Sequence, residues 1–496
     1  MIAILEHHDK QRRISRQDWG LLALLMLLWL GFAVRALTLD AQGLWRDEVD
    51  ALLFAQAPLE QLAENFTRPG WNGPFYFLLL RGWIALTGET AFALRYFALL
   101  CGVLSIPVGY CLSRRLLGRD AGLLTATLLT FAPYLVWYAQ DAKMYAWMTL
   151  LALLACYALE RACVEMAWRW WWGVLVATTL AFYSHILAAL LIPVLALWFL
   201  LHPRRAPGSW MRGGVVLALL TLPYVPLLLW QFPLLMQVQA ETGYPNYTLR
   251  QMIVVLLNGW STGITGWGGV WAMALYAGVA LLGALTLLLR APRRLAALWV
   301  WLTLPLLGVW TVSVLRGPLF TDRYLIWSLP AFLVLIAVGL DTFKGLARAA
   351  MPLLIAVLLL ISGVNLARQA AQPIKPQFRE AAAYLVDVTS APTLLLYQIP
   401  YNQRMIDYYA PELPATAVAA PFTNWRTPEG GYEVGAGYVD TQLRALTADA
   451  RELWLVYSEV VLWDERELVK NWLDIHGTLV DEAHFHRVDL YHYTFP

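Results

Sequence analysis

The sequence predicts a polytopic α-helical membrane protein that ends in a small α/β domain. Of the 496 residues, 59% are hydrophobic and only 14% are charged, whereas soluble domains carry about 25% charged residues. The charges come in groups between long apolar stretches, as expected of helices that cross a bilayer. From about residue 372 the composition becomes polar and mixed, which predicts a separate domain.

The composition supports neither a nucleic-acid-binding protein nor a protein that binds metal through its cysteines. The net charge of +2 is too small to indicate a nucleic-acid-binding protein. The four cysteines lie in or beside apolar segments and lack the spacing of metal ligands, so we interpret them as small core residues. They are Cys101, Cys111, Cys156 and Cys163.

Eleven membrane spans are predicted, at about 20 apolar residues each. Nine are single stretches: 18–37, 92–112, 120–138, 142–160, 213–232, 267–289, 295–315, 322–341 and 350–367. The remaining stretch, 170–201, has arginines beyond both ends. Because arginines favour the cytoplasm, we expect two short helices here, with a turn at Ser184 and His185.

The stretch 74–88 is ambiguous, because it is short for a span and carries Arg81 near its middle. If it does not cross the membrane, the loops after residue 91 that lie on the same side of the membrane as the N-terminus hold 13 Lys and Arg residues. The loops on the opposite side then hold four. If it crosses, this bias inverts. The positive-inside rule therefore favours an N-terminus inside and a helix that lies on or dips into the outer face.

This layout predicts two domains. Residues 1–371 form the transmembrane domain, with outer juxtamembrane helices at about 47–88. Residues 372–496 form an exported α/β domain, because helical and strand patterns alternate along them. The predicted helices are 378–386, 403–409, 440–448 and 464–474, and the predicted strands are 393–398, 415–419, 452–458 and two near 478–494.

Polar residues able to do chemistry collect on the predicted outer face. They include Asp47, Glu48, Asp50, Arg68, Asp141, Lys143, His185, Asp322, Arg323 and Tyr324. Ionisable groups at a membrane boundary are costly, so they are candidates for function. Each also has an ordinary role open to it. The acids can cap helices, Lys143 can pair with Asp141, His185 can sit in a turn, and Arg323 can anchor a span.

Taken together, these groups suit transfer from a lipid-linked phosphate at the outer surface. A carboxylate can deprotonate an acceptor hydroxyl, while Arg and Lys bind a phosphate and stabilise it as it leaves. A phosphate leaving group needs no strong general acid, in contrast to the leaving group of most glycosidases. A donor embedded in the membrane would be a lipid.

Six motifs in consistent order, over roughly residues 18–345, resemble the bacterial members of glycosyltransferase family 39. They are L-W-R-D-E-V-D-A, G-P-F-Y-F-L-L-L, A-F-A-L-R-Y-F-A-L-L, S-R-R-L-L-G-R-D-A-G-L-L, F-A-P-Y-L-V-W-Y-A-Q-D-A-K-M-Y-A and F-T-D-R-Y-L-I-W-S-L-P-A. That family belongs to the GT-C superfamily, with protein O-mannosyltransferases and lipid A aminoarabinose transferases as relatives. The resemblance implies the GT-C fold.

The resemblance also implies an inverting transfer of a sugar from a polyprenyl phosphate to a lipid, glycan or protein at the extracytoplasmic face of the bacterial inner membrane. Asp47 would be the catalytic base. The residues implied in donor or substrate binding are Glu48, Arg68, Asp141, Lys143, Tyr145, His185, Arg323 and Tyr324. In some relatives the matching acids bind a divalent metal, which would make Asp47 and Asp141 ligands for Mg, Mn or Zn; in others no metal is needed.

This sequence departs from the family pattern at three places. Lys143 stands where the family usually has Arg, so the cation remains but its two-pronged geometry does not. Asp50 stands where the lipid A-modifying relatives have Arg, which weakens an aminoarabinose assignment. Asn72-Gly73-Pro74 replaces the usual H-P-P.

Two other classes of protein share this hydropathy, a lipid-linked-sugar transporter or flippase and a non-catalytic scaffold. A transporter would show inverted repeats and charges near the midplane, whereas here no repeat is evident and the polar groups lie at one end of the helices. For the enzyme, we expect the outer loop 233–266 and the C-terminal domain to select the acceptor. We also expect part of that loop, 236–248, to close over the donor.

Overall fold

A computed structural model describes residues 16–66, 73–202, 206, 208–237, 245–346, 349–389 and 392–495. These divide into two compact units. Unit 1 comprises the described residues of 1–39 and 54–370, and unit 2 comprises 40–53 with the described residues of 371–496. The segment 40–53, which carries the first acidic motif, is therefore part of the same unit as the C-terminal α/β elements.

Helices dominate the first part of the chain. They are α1 Arg16–Ala36, α2 Arg46–Gln56, α3 Leu59–Phe66, α4 Pro74–Thr87, α5 Ala91–Leu117, α6 Arg119–Phe131, α7 Pro133–Tyr138, α8 Tyr145–Glu165, α9 Trp168–Ser184, α10 Leu191–Leu201, α11 Ser209–Gln237, α12 Leu249–Thr262, α13 Gly269–Arg290, α14 Pro292–Arg316, α15 Leu329–Leu346 and α16 Ala350–Ala371. Short 3₁₀ helices at Ile186–Leu190 and Asp322–Ser328 precede α10 and α15.

Within the described residues, seven helices are long and apolar enough to cross a membrane, so the chain is a multi-pass membrane protein. They are α1, α5, α8, α13, α14, the helical run from Asp322 to Lys344, and α16. Several of the other predicted spans correspond to shorter helices. The stretch predicted as a span at 120–138 is divided between α6 and α7, because Pro133 lacks an N–H and forces Ala132 into an extended conformation, which ends α6.

The chain turns back at His185, as the charge pattern predicted. At one end of the helices, Trp147 Nε1 in α8 donates to Ser184 Oγ at the end of α9, over 3.1 Å. At the other end, His202 Nε2 after α10 lies 3.2 Å from Glu160 Oε2 in α8. Helices α9 and α10 therefore form a hairpin. We call the helix ends near Tyr145 and His185 the site end, and those near Glu160 the opposite end.

Helix α4 stays at the site end instead of crossing. A Cβ on Gly73, just before α4, would lie 1.9 Å from the carbonyl oxygen of Tyr183. Only glycine fits this close approach, which explains the N-G-P variant of the motif. Near the other end of α4, Trp83 Nε1 donates to the carbonyl of Ala93 over 2.8 Å. Since both ends of α4 contact the site ends of α9 and α5, the helix lies across that face.

Unit 2 contains a five-stranded sheet in the order β2-β1-β3-β5-β4. Its elements are α17 Phe378–Val388, β1 Thr393–Tyr397, α18 Gln403–Tyr409, β2 Ala415–Ala419, α19 Ala436–Thr447, β3 Glu452–Tyr457, α20 Leu468–His476, β4 Thr478–Phe485 and β5 Val488–Thr494. Strands β1, β2 and β3 are parallel, whereas β5 is antiparallel to β3 and β4. Buried leucines of β3 pack against Val469 and Leu473 of α20.

Candidate active site

Three short segments of unit 1 bring predicted site residues together. The ring centroids of His185 and Tyr324 are 4.8 Å apart in an edge-on arrangement. The Arg323 guanidinium lies 5.8 Å from the centroid of the Tyr145 ring. The turn after α9, the start of α8 and the 3₁₀ helix before α15 thus meet at the site end. Four predicted site residues from three separate parts of the sequence thus form one cluster.

Tyr138 connects this cluster to the acids. Its ring packs edge-on against Tyr145, with centroids 5.1 Å apart, and the charges of Asp141, Asp322 and Arg323 all act on its hydroxyl. Asp141 is 1% exposed and lies in the connection between α7 and α8. Lys143 follows it, with its backbone N–H donating to the Asp141 carbonyl over 2.7 Å. The site end of unit 1 therefore combines the buried Asp141 and the half-buried Asp322 with the cations Lys143 and Arg323.

His185 is held as a neutral ring in the connection between α9 and α10. Its Nδ1 accepts the N–H of Leu187 over 3.2 Å, so the proton of the neutral ring is assigned to Nε2. Burial lowers the pKa of His185 to about 4, and the nearby Arg323 charge acts in the same direction. Among the described residues, the buried Nε2 has no hydrogen-bond partner, so it can donate to a bound ligand.

The acids of the first motif lie in unit 2. Asp47 is half-buried in the first turn of α2, where the helix dipole favours a negative charge. Its neighbour Glu48 is fully buried and accepts a 2.8 Å hydrogen bond from Lys375 Nζ. Asp50 Oδ1 accepts from Arg404 Nη1 over 2.7 Å. In the acidic motif, the half-buried Asp47 thus precedes two carboxylates, Glu48 and Asp50, that form ion pairs within unit 2.

Of the predicted site residues, Arg68 lies outside the described residues, as do residues 238–244 of the loop expected to close. Sequence reasoning missed Tyr138 and Lys375. Tyr138 stands inside the quoted motif W-Y-A-Q-D-A-K, where its place next to the acid was the available signal. Lys375 is a lone cation between two prolines, and its surroundings in the sequence provided no signal of a functional role.

The predicted outer loop 233–266 contains a helix that the sequence analysis did not predict. Helix α12 begins with a capping box, in which Thr248 and Gln251 exchange hydrogen bonds between side chain and backbone. At its other end, a Cβ on Gly259 would lie 3.0 Å from the Tyr134 ring and 3.6 Å from Asp322 Oδ2. Helix α12 therefore forms one wall beside the cluster.

The described residues contain no group of three or more His, Cys, Asp and Glu side chains that could hold a metal ion. Metal binding by Asp47 and Asp141 stays a prediction. Two carboxylates suit Mg²⁺ or Mn²⁺, which take oxygen ligands and retain water, better than Zn²⁺, which prefers nitrogen and sulfur.

Comparison with known proteins identifies the fold. Residues 69–230 match the profile of the family described as dolichyl-phosphate-mannose-protein mannosyltransferase. No curated protein matches the chain. The match to a mannosyltransferase profile agrees with the motif order in the sequence.

Solved structures match over nearly the whole chain. The ArnT of Cupriavidus metallidurans bound to undecaprenyl phosphate is 15% identical, with a TM-score of 0.57 over 96% of this chain and 98% of that one. The apo oligosaccharyltransferase of Archaeoglobus fulgidus is 14% identical, with a TM-score of 0.59 over 97% and 75%. These likenesses show that the chain has the GT-C fold.

Proposed function

We propose that this protein is a membrane glycosyltransferase that moves a sugar, with inversion, from a polyprenyl phosphate to an acceptor at the outer face of the bacterial inner membrane. The observation that carries the proposal is the convergence of His185, Arg323, Tyr145 and Tyr324 at one end of the helices. The ArnT structure that shares the fold contains undecaprenyl phosphate, and an AglB structure from Archaeoglobus fulgidus contains dolichol-phosphate.

The cations of the cluster would receive the donor phosphate. The Arg323 guanidinium offers a two-pronged set of donors, and Lys143 adds a point charge. The His185 Nε2–H adds a neutral donor that does not change charge near neutral pH, because its pKa is about 4. These groups stabilise the negative charge that grows on the phosphate oxygen as the bond to the sugar breaks.

An apolar cavity that is partly lined by α12, the helix beside the cluster, would hold part of the polyprenyl chain. It has a volume of about 280 Å³ and lies between α12, α13, α14 and α15. Trp260 and Phe332 belong to its wall, and Trp260 follows Gly259, which faces Asp322. A lipid in this cavity would therefore present its phosphate to the charged end of the helices.

Asp47 would act as the general base. It removes the proton from the acceptor hydroxyl as the oxygen attacks the anomeric carbon from the face opposite the phosphate. A new C–O bond forms, the bond between the anomeric carbon and the phosphate oxygen breaks, and the electron pair leaves with the polyprenyl phosphate. The donor-binding roles of Glu48, Arg68 and Asp141 belong to the same proposal. So does a divalent metal at Asp47 and Asp141, which would supply further charge neutralisation.

The proposal does not restrict the sugar to a hexose or a pentose, and the acceptor can be a lipid, glycan or protein. Asp50 argues against an aminoarabinose donor, because an acid stands where the lipid A-modifying relatives have Arg. The C-terminal unit and the loop containing α12 are the proposed determinants of the acceptor.

Substitution of the base tests the proposal. Purified protein is supplied with a set of polyprenyl-phosphate sugars, and consumption of each donor is followed by mass spectrometry. We expect Asp47→Asn to lower consumption by a factor of about 100 or more. The control Asp40→Asn removes another acid of the same segment, one that is paired only loosely with Arg379 at 3.7 Å, and should retain the wild-type rate. Equal rates for both variants would refute the base assignment, and transport of donors without consumption would identify a flippase.

A further inference from the structure

A second cavity, which is polar, lies at the opposite end of the helices from the candidate active site. It has a volume of about 260 Å³ and is lined by the ends of α5, α8, α10 and α14. Glu160 in its wall and Tyr145 of the candidate site belong to the same helix. They are 15 positions apart in the sequence, which corresponds to about 22 Å along the axis. The two sites are therefore distinct.

Three arginines converge on this cavity: Arg115, Arg293 and Arg294. Arg115 is partly neutralised by Glu165, with Nη1 to Oε1 at 3.4 Å. Within the described part of the chain, no carboxylate forms an ion pair with Arg293 or Arg294. The cavity thus carries two arginines without an ion-pair partner among the described residues, and the Glu160 carboxylate in its wall offsets only part of their charge. Arginine binds phosphate oxygens in a two-pronged manner.

The floor of the cavity is polar and rigid. The buried Glu160 carboxylate accepts from Trp198 Nε1 over 2.6 Å and lies 3.2 Å from His202 Nε2. Both Glu160 and His202 are 6% exposed, so their positions are fixed by packing. A carboxylate has about four acceptor positions, so Glu160 retains capacity for a hydroxyl donor from a ligand.

The remaining lining residues are apolar and include Leu116, Val164 and Leu201. Cations above a hydroxyl acceptor, bordered by apolar side chains, match the headgroup and upper acyl chains of a phospholipid. We propose that this cavity binds an anionic phospholipid. Arg293 and Arg294 hold the phosphodiester, and Glu160 accepts a headgroup hydroxyl such as that of phosphatidylglycerol.

An arginine that lies at the membrane surface without lining the cavity would not be expected to bind the proposed lipid. Arg290 illustrates this case, because it lies three residues before Arg293 but does not line the cavity. The substitutions Arg294→Gln and Arg290→Gln therefore remove the same charge from the same turn, but only the first removes a cavity contact.

Native mass spectrometry of the purified full-length chain tests the proposal, with phosphatidylglycerol, phosphatidylcholine or inorganic phosphate added. We expect wild-type protein and Arg290→Gln to retain phosphatidylglycerol in preference to phosphatidylcholine. Arg294→Gln should lower that retention about tenfold, the usual effect of losing a hydrogen bond to a charged group. Equal retention by the two variants, or no preference between the lipids, would overturn the proposal. Displacement of phosphatidylglycerol by inorganic phosphate alone would assign the cavity to a free anion and overturn the lipid assignment.

Discussion

Lys375 Nζ lies 2.8 Å from Glu48 Oε2, and both side chains are buried. The Lys375 ammonium also lies 5.9 Å from the centroid of the Trp45 ring. This pair links the acidic motif at the start of α2 to the beginning of the C-terminal α/β elements. Because Glu48 adjoins Asp47, the pair fixes the helix turn that presents the proposed base.

Loss of Lys375 should therefore destabilise unit 2. Lys375→Met leaves a buried carboxylate without its cation, a change that costs about 3–5 kcal/mol in other proteins. Thermal unfolding of the purified protein measures the effect. The matched control is Lys470→Met, which breaks a half-exposed pair with Asp474 at 3.0 Å and should cost less than about 1 kcal/mol. Similar melting temperatures for the two variants would mean that the buried pair contributes little.

Arg323→Lys should slow donor consumption while preserving the charge. Lysine cannot reproduce the planar, two-pronged contact with a phosphate, so we expect a loss of about tenfold or more. Arg316→Lys is the control, since Arg316 ends α14 and lies outside the described cluster. If both variants consume donors at the wild-type rate, Arg323 does not bind the phosphate in the proposed way.

The proposed lipid cavity can be tested by filling it. Ala277 is half-buried and lines the apolar cavity beside the cluster, so Ala277→Phe should weaken use of long-chain polyprenyl donors. Donors with a short isoprenoid chain should be affected less, because they occupy less of the cavity. Ala196→Phe is the control, since Ala196 is also half-buried but lines a different apolar cavity. An equal effect of Ala277→Phe on both chain lengths would contradict the assignment.

His185 should make folding stability depend on acid pH. Burial lowers its pKa to about 4, whereas an unfolded histidine titrates near about 6.5. As the pH falls, the unfolded chain takes up the proton first. The contribution of the neutral His185 to stability is therefore complete above about pH 6.5 and is lost towards pH 4, by about 3 kcal/mol.

Unfolding measured across that pH range tests the His185 prediction. His185→Gln should flatten the pH dependence between 4 and 6.5, the window set by the lowered pKa of about 4 and the unfolded value of about 6.5. His484→Gln should not, because a hydrogen bond to Asp489 raises the pKa of His484 and its contribution is lost at higher pH instead. A His185→Gln profile parallel to the wild type would show that His185 does not stay neutral in the fold.

The sequence predicted those structural features that depend on a single physical rule. Charge bias alone predicted that the chain turns at His185, because arginines flank both ends of the apolar stretch 170–201. The strand patterns predicted three strands of the C-terminal sheet, 393–398, 415–419 and 452–458, within one residue of their observed bounds, and placed two more strands near 478–494. Motif order predicted that Tyr145, His185 and Arg323 belong to one site.

Other features depend on partners distant in sequence. The break at Pro133 interrupts a stretch that is apolar throughout, so the hydropathy pattern did not predict the break. Helix α12 lies in a segment that hydropathy treated as a loop, although Thr248 and Gln251 carry the capping signal. The pairing of Glu48 with Lys375 joins positions 327 residues apart, and a single sequence contains no periodic signal for such a contact.

Unit 2 is discontinuous along the chain, since residues 40–53 belong with 371–496. Recombination between relatives that exchanged only the C-terminal segment would therefore replace the residues that pair with Glu48 and Asp50. Such an exchange is compatible with the acidic motif only if residues 40–53 move as well, or if Lys375 and Arg404 have equivalents in the donor sequence. The loop after α1 and the C-terminal segment should thus be inherited together, although more than 300 residues separate them in the gene.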